Sequence, residues 1–231
     1  MRPGLILGLL LTVWLAINPS SAVKPVTVGF GQGCHYPPQA LNQAIKEHRL
    51  IYLTSGIDYP PLVINSPRVH IIGGFSHCYE PLQPPDRSQK SRISGSNRQS
   101  AVTIQPPEQS HEPDNLIQLS HLSLTAGHAE HGGGISITGP HRVQLNNLTI
   151  SHNYASQIGG GIWVSGQSVE LNIMDSLIHD NQAMVLGGGI GCEGHHLIVT
   201  DSTQLMQHNR APLATDLLLD EKCFFQVVES D

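Results

Sequence analysis

The sequence is poor in charged and aromatic residues, and this scarcity excludes several classes of protein. Charged residues make up 13% of the 231 residues and aromatic residues 5%, and the formal net charge is −6. No lysine occurs between Lys90 and Lys222. Because nucleic-acid binding needs clustered positive charge that attracts phosphates, we expect no nucleic-acid partner. The abundance of glycine and proline, with 23 and 16 residues, favours a turn-rich β protein over a helical one.

Long apolar runs are almost absent beyond the N-terminus. Arg2 precedes an apolar stretch from Leu5 to Ile17, and Ser20 and Ala22 then supply the small residues of a cleavage site before Val23. This pattern is typical of a secretory signal peptide over residues 1–22, and it is short for a membrane span. We therefore expect a mature protein without a transmembrane segment that is secreted, periplasmic or held at the cell surface.

Cysteine is also scarce, with four residues in the whole chain. In an oxidising compartment four cysteines predict two disulfides, and three connectivities are then open. Proximity in the sequence favours Cys34–Cys78 and Cys192–Cys223.

An internal repeat dominates the second half of the chain. A Gly-Gly-Gly-Ile motif begins at Gly132, at Gly159 and again at Gly187, so the steps are 27 and 28 residues. An Asn-x-Ala motif begins at Asn153, Asn181 and Asn209 with a step of 28 residues. Repeats of this length predict a solenoid in which each unit stacks on its neighbours. Glycine triplets inside each unit argue against helical repeats.

Apolar residues between these landmarks alternate with a period of two, which indicates β-strands. Each repeat holds about three such segments, and corresponding segments share an inward phase. The three inward registers are Ile135/Ile137, Ile162/Val164 and Ile190/Cys192; Ile117/Leu119, Val143/Leu145, Val169/Leu171 and Leu197/Val199; and Leu122/Leu124, Leu148/Ile150, Ile178 and Met206. The predicted fold is an all-β, single-stranded right-handed parallel β-helix with coils of about 27–28 residues.

The Asn-x-Ala and Gly-Gly-Gly-Ile repeats resemble those of the pectate-lyase-like right-handed parallel β-helix superfamily. In style they are most similar to polymorphic outer-membrane and autotransporter-type passenger domains. The segment that starts at Cys34 resembles the N-terminal segment of such proteins. It leads into a short amphipathic helix with Leu41, Ala44 and Ile45 on one face. The resemblance implies that this helix caps the first coil. We expect one domain, with the cap and first coils in residues 23–90 and the repeats and closing segment in residues 91–231.

Two polar columns follow from the alignment of the repeats. Asn153, Asn181 and Asn209 are expected to form a structural ladder of stacked amides at a corner that needs a positive φ angle, which asparagine tolerates. One residue earlier lies a second column. Its members are His152, Asp180 and His208. This second column admits three interpretations: solvent-facing corner residues, a hydrogen-bonded ladder, or three ligands of a Zn²⁺ ion.

The sequence does not show the residue patterns that β-helix enzymes use for catalysis. Hydrolases of β-helix type use clustered carboxylates, and lyases use a basic residue beside carboxylates that hold Ca²⁺. Here the acidic residues of two successive repeats fall at different corners: Glu170, Asp175, Asp180 and Asp201. Trp163 lies at an outward position between Ser136 and Gly191, where it is a candidate platform for a sugar ring.

These observations favour a non-catalytic, secreted or surface-associated, adhesin-like protein that presents a lateral face to a glycan or protein partner, without a cofactor. The alternative is a carbohydrate-active enzyme, a polysaccharide lyase or hydrolase, of the β-helix class. A third interpretation is a truncated remnant of a longer passenger domain.

Overall fold

The computed structural model describes residues 23–79, 84–106, 115–139, 141–166, 168–202 and 205–228. The predicted signal peptide lies outside these residues. The helical elements are a 3-10 turn at Pro38–Ala40 and the helix α1 at Leu41–Glu47. The strands, in chain order, are β1 (Val26–Val28), β2 (Leu50–Thr54), β3 (Asp58–Tyr59), β4 (Leu62–Ile64), β5 (Arg68–Phe75), β6 (Ser91–Ser94), β7 (Val102–Ile104), β8 (Leu116–Ser120), β9 (Leu122–Thr125), β10 (His128–His131), β11 (Ile135–Thr138), β12 (Arg142–Asn146), β13 (Thr149–Ser151), β14 (Tyr154–Ile158), β15 (Ile162–Ser165), β16 (Glu170–Met174), β17 (Leu177–His179), β18 (Gln182–Ala183), β19 (Ile190–Glu193), β20 (His196–Thr200), β21 (Met206–Gln207), β22 (Leu217–Leu219) and β23 (Cys223–Val227).

These strands form four sheets, and every sheet is a stack of strands from successive coils. Sheet A has the order β1-β2-β5-β8-β12-β16-β20-β23, and sheet B the order β3-β6-β9-β13-β17-β21. Sheet C has the order β4-β7-β11-β15-β19-β22, and the short sheet D the order β10-β14-β18. Neighbouring strands are parallel throughout, as in the pairs β8–β12 and β12–β16. The predicted all-β parallel β-helix is confirmed.

The interior is filled by the alternate residues that face inward from sheets A, B and C. Ile135, Ile162 and Ile190 stand in register on sheet C and are completely buried. Leu124, Ile150 and Ile178 do the same on sheet B. Parallel strands about 4.8 Å apart place equivalent residues in columns, so two of the three predicted inward registers are confirmed.

The third inward register, on sheet A, was predicted correctly only in its first coils. Val143 pairs with Leu171, and Leu171 pairs with Ile198. Leu197 and Val199, which were predicted to face inward, flank the buried Ile198 on the outer side, and Leu197 is 37% exposed. A slip of one residue exchanges the two faces of a strand. The uninterrupted apolar run in β20 gives no alternation from which the phase could be read.

Helix α1 covers the N-terminal end of the solenoid. Leu41, Ala44 and Ile45 are buried, as predicted, and the helix packs against β1 and β4. It ends at Glu47, and His48 is already extended. The helix therefore shields the edge of the first coil, as expected for a cap.

The glycine triplets lie where the backbones of successive coils leave no room for a side chain. A Cβ atom on Gly160 would lie 2.5 Å from the carbonyl oxygen of Gly188 in the next coil. Each strand of sheet D precedes one glycine triplet. These strands were not predicted, because the residues that they point inward, such as Ala155 and Ala183, are small. Without large apolar residues the alternation of a strand is not visible in the sequence.

Both predicted disulfides are present. Cys34 is bonded to Cys78, and Cys192, which faces inward from β19, is bonded to Cys223 in β23. The second disulfide fastens the closing coil, in which β22 pairs with β19 and β23 with β20. Disulfides are typical of non-reducing compartments. In the described part of the chain, no helix has the length and apolarity that a bilayer crossing requires.

Candidate ligand-binding site

A polar groove runs across the outer face of sheet A. Its floor is a column of outward residues, in which His70, Gln118, Gln144 and Asn172 stand in register on β5, β8, β12 and β16. The groove has a volume of about 610 Å³. We call its three amides, Gln118, Gln144 and Asn172, the amide row.

The amide row follows directly from the strand pattern. Ile117 and Leu119 point into the core and leave Gln118 between them on the outer face. The same alternation exposes Gln144 between buried residues of β12, and Asn172 in β16. Parallel pairing then stacks these amides at intervals of about 4.8 Å.

Two hydrogen bonds hold amides of the row in place. Gln118 donates a hydrogen bond from Nε2 to Oε1 of Gln144 over 2.7 Å. Asn172 donates from Nδ2 to Oε1 of Glu170 over 3.3 Å. Each amide carries both donor and acceptor groups, so the row offers both kinds of partner to a ligand that crosses the strands.

The groove holds little net charge. Burial lowers the pKa of His70, so this imidazole is neutral at pH 7. Glu170 is the only carboxylate among the described residues that line the groove, and it faces the guanidinium of Arg142, with Nε and Oε2 3.4 Å apart. The groove is therefore polar and close to uncharged.

An apolar patch adjoins the groove toward the C-terminal coils. Leu197 and Phe224 continue the outward column that contains Glu170, and they are 37% and 66% exposed. A second depression of about 390 Å³ lies over them, and Lys222 and Glu170 line it as well. A phenyl ring this exposed is a surface on which an apolar face can stack.

Trp163, the predicted sugar platform, lies on a different face. It stands on sheet C between Ser136 and Gly191, at the predicted place. Its indole stacks on the ring of His131, with centroids 4.6 Å apart, and its Nε1 donates to Glu193 over 2.9 Å. Intramolecular contacts thus already engage the indole, which does not line the groove on sheet A.

The three predicted ladder asparagines are buried and stacked. Asn153 donates from Nδ2 to Oδ1 of Asn181 over 3.0 Å, and Asn181 donates in the same way to Asn209. Each of these oxygens also accepts the backbone N–H of the preceding asparagine over 3.1 Å. At the far end Asn209 donates to the carboxylate of Asp216 over 2.9 Å.

The positive φ angle predicted for these asparagines falls one residue earlier, which corrects that prediction. The φ angles of His152, Asp180 and His208 are 57°, 52° and 52°. Ala126 has the same conformation, at 52°, in the coil before. Each asparagine follows the left-handed residue, and this geometry turns its side chain into the solenoid.

His152, Asp180 and His208 line a shallow depression of about 320 Å³ on the corner. Asp180 does not bond to either of them through its side chain. Its Oδ2 lies 2.7 Å from Nδ1 of its neighbour His179, and this hydrogen bond is the largest cause that lowers the pKa of Asp180. Within the described ranges, no three or more His, Cys, Asp or Glu side chains are placed to hold a metal ion.

The sequence carries a signal for the amide row, in triplets that repeat from coil to coil. The triplets Ile-Gln-Leu, Val-Gln-Leu and Leu-Asn-Ile, centred on Gln118, Gln144 and Asn172, put an amide at the same outward position of three coils. The exposure of Leu197 was missed because of the register error in β20.

No protein-family model, curated protein or solved structure matches this chain in the three comparisons. The β-helix assignment therefore rests on the sheets themselves.

Proposed function

We propose that this protein is a non-catalytic binding protein of the β-helix type, and that the outer face of sheet A binds a glycan. The observation that carries the proposal is the amide row, in which Gln118, Gln144 and Asn172 present equivalent amides from three successive coils. A periodic row of hydrogen-bonding groups suits a periodic, hydroxyl-rich polymer.

The scaffold supports this function because it holds the amides before the ligand arrives. Each amide projects from the middle of a strand that is paired on both sides. Strand pairing fixes the backbone, and the hydrogen bonds Gln118–Gln144 and Asn172–Glu170 restrain the side chains. This pre-organisation strengthens an interaction made of modest hydrogen bonds.

The alternative, a polysaccharide lyase or hydrolase, receives less support from the groove. Glycoside hydrolysis uses two carboxylates on either side of the scissile bond. Among the described lining residues the groove offers Glu170 alone, and Arg142 and Asn172 already contact it. A lyase places its base beside carboxylates that hold Ca²⁺. His70 could act as a base, but the described lining gives it no carboxylate cluster to work beside.

The cellular setting is part of the same proposal. The two disulfides fit a non-reducing compartment, and the predicted signal peptide would deliver the chain there. In this proposal the exported protein is held at the cell surface in the manner of an adhesin. Cell fractionation with intact-mass analysis tests export, and we expect a mature chain that begins at Val23.

A glycan array tests the binding function. Wild-type protein should bind a glycan, and the double variant Gln118→Ala/Gln144→Ala should lose that binding. The matched control is Gln182→Ala, which removes an exposed amide on sheet D. The same samples are assayed for released reducing ends or unsaturated products. Glycan binding unchanged by the double variant, or turnover of the bound glycan, would overturn the proposal.

A further inference from the structure

The charges around the groove indicate which class of glycan fits. The titratable residues that face outward from the middle of sheet A are Arg68, His70, Arg142 and Glu170. His70 is neutral at pH 7 because burial lowers its pKa, and Arg142 and Glu170 face each other at 3.4 Å. Arg68 lies at the outer end of the groove, beyond its described lining. The polar groups that the floor offers to a ligand are therefore mostly uncharged.

Among the described residues that line the floor of the groove, an acidic sugar would find no cationic side chain. Lys222 lines the neighbouring depression beside Phe224 and not the floor itself. A carboxylate that leaves water needs a charged partner or several strong donors. The Arg142 guanidinium is already shared with Glu170, and the Glu170 carboxylate would repel a second anion. Hydroxyl groups carry no such penalty, and the amides satisfy them as donors and acceptors.

The apolar patch completes this selection. The outward column next to the amide row contains Glu170, then Leu197 one coil further on and Phe224 two coils further on. A pyranose ring has an apolar face of C–H groups and an equatorial rim of hydroxyls. A chain of such rings along the solenoid axis can lay its C–H faces on Phe224 and direct its hydroxyls to the amides.

We propose that the groove selects an uncharged, extended polysaccharide that lies along the solenoid axis across the strands of sheet A. The inference rests on the proposed glycan-binding function, and it adds the charge class and the direction of the ligand. One end of the ligand lies over Phe224, and its middle lies over Gln144.

Calorimetry with two sets of oligosaccharides tests this selection. The neutral set contains hexamers of β-1,4-linked glucose, mannose and xylose, and the acidic set contains hexamers of galacturonate and mannuronate. We expect at least one neutral hexamer to bind at least about tenfold more tightly than every acidic one. Its affinity should change by less than about twofold between low and high salt, because neutral contacts are not screened.

Variants then locate the ligand. Gln144→Ala should weaken the neutral hexamer by about twofold to tenfold, as expected for a lost neutral hydrogen bond. Phe224→Ala should weaken it by a similar factor and should affect hexamers more than trimers. Gln144→Arg should weaken the neutral hexamer and strengthen the acidic ones. Gln182→Ala is the control that leaves all affinities unchanged, and melting curves verify that every variant folds.

The outcomes separate this inference from the function on which it rests. Tighter binding of an acidic hexamer that Gln144→Ala weakens would overturn the selection for neutral glycans and leave glycan binding by sheet A intact. Binding of neutral hexamers that Phe224→Ala leaves unchanged at every length would overturn the proposed direction. If Gln144→Ala alters the affinity of no hexamer in either set, the proposed function fails together with the inference.

Discussion

At the scale of single residues, the asparagine ladder is a buried polar column in which each member bonds to the next coil. Asn181 donates from Nδ2 to the carbonyl of Ile150 over 2.9 Å and to Asn209 over 3.0 Å. Its Oδ1 accepts two hydrogen bonds from Asn153. Only 1% of its surface is exposed, so water cannot replace these partners.

We predict that Asn181→Leu lowers the free energy of unfolding by about 1–3 kcal/mol, because it strands buried donors and acceptors on both neighbouring coils. Chemical denaturation measures the change. Gln182→Leu is the matched control, since it makes the same kind of substitution at the next, exposed residue, and it should shift stability by less than about 0.5 kcal/mol. Equal effects of the two variants would show that the ladder adds nothing to stability.

The left-handed corner residues give a second prediction, which concerns the backbone rather than the side chain. His152 is exposed and has a φ angle of 57°, a conformation that costs a residue with a Cβ atom about 1–2 kcal/mol and costs glycine almost nothing. His152→Gly should therefore be more stable than His152→Ala by about 1 kcal/mol, measured by denaturant unfolding. Both variants remove the imidazole, so the comparison isolates the backbone.

Ser156 serves as the control for this comparison, because it is exposed in β14 and extended. There glycine should be less stable than alanine by about 0.5–1 kcal/mol. The same sign at both positions would contradict the assignment of strain to the corner. The sequence predicted this corner, but the positive φ angle was predicted at Asn153 and lies at His152. The prediction erred because asparagine adopts a positive φ angle more often than histidine.

At the scale of strands and coils, alternation predicted most of the architecture. It located the inward residues of sheets B and C correctly where strands such as β9 and β11 alternate apolar and polar residues. It failed in β20, where Leu197, Ile198 and Val199 are all apolar, and in sheet D, where the inward residues are alanines. Register becomes certain only once the neighbouring strand is present to pair with.

The closing coil gives a prediction at this scale. Strand β23 lies at the edge of sheet A, where it pairs with β20 alone, and the Cys192–Cys223 disulfide ties it to β19. Replacing both cysteines by alanine should lower the free energy of unfolding by about 2–4 kcal/mol. Hydrogen exchange should accelerate in residues 212–228 more than in the coils that contain β11 and β15.

The matched control is Cys34→Ala/Cys78→Ala, which opens the disulfide at the other end of the solenoid. Its exchange should accelerate near the N-terminal coils and leave residues 212–228 as in the wild type. Uniform acceleration along the whole chain in both variants would show that the disulfides do not act locally.

At the scale of the whole molecule, the fold was predictable from the sequence and the charge of the candidate site was not. A repeat of 27–28 residues specifies the stacking of coils, because each unit must bury its apolar residues against the next. The groove is assembled from residues 26 and 28 positions apart, namely Gln118, Gln144 and Asn172, and its charge depends on the burial of His70 and on the pairing of Arg142 with Glu170. Burial and pairing are properties of the folded chain.

Burial of histidines gives the last prediction, which concerns the stability of the whole molecule against acid. In the described part of the chain, four histidines have a lowered pKa for which burial is the largest cause: His70, His121, His141 and His196. In the unfolded chain a histidine titrates near pH 6.5. As the pH falls below this value, the unfolded state binds more protons than the folded state, because the pKa of these histidines is lower in the folded state. The free energy of unfolding therefore decreases.

Carboxylates do not obscure this effect between pH 7.5 and 5. In the described part of the chain, hydrogen bonds are the largest cause that lowers the pKa of four carboxylates: Glu47, Asp86, Asp180 and Asp220. Such groups contribute stability above their unfolded pKa of about 3.9 for aspartate and about 4.3 for glutamate, and this contribution is lost only in more acidic solution. The window from pH 7.5 to 5 therefore reports on histidines.

His196 is the histidine whose contribution can be isolated. It is 3% exposed, its Nδ1 accepts the backbone N–H of Val169 over 3.0 Å, and its Nε2 lies 2.9 Å from the carbonyl of Glu193, to which it must donate. Only the neutral ring satisfies both partners, since a proton on Nδ1 would oppose the Val169 N–H. Wild-type protein should melt at a lower temperature at pH 5 than at pH 7.5, and His196→Gln should reduce this difference because glutamine does not titrate. His195→Gln, at the neighbouring exposed position, should keep the wild-type difference. A melting temperature that does not fall with pH, or an identical fall in all three proteins, would contradict the role of buried neutral histidines.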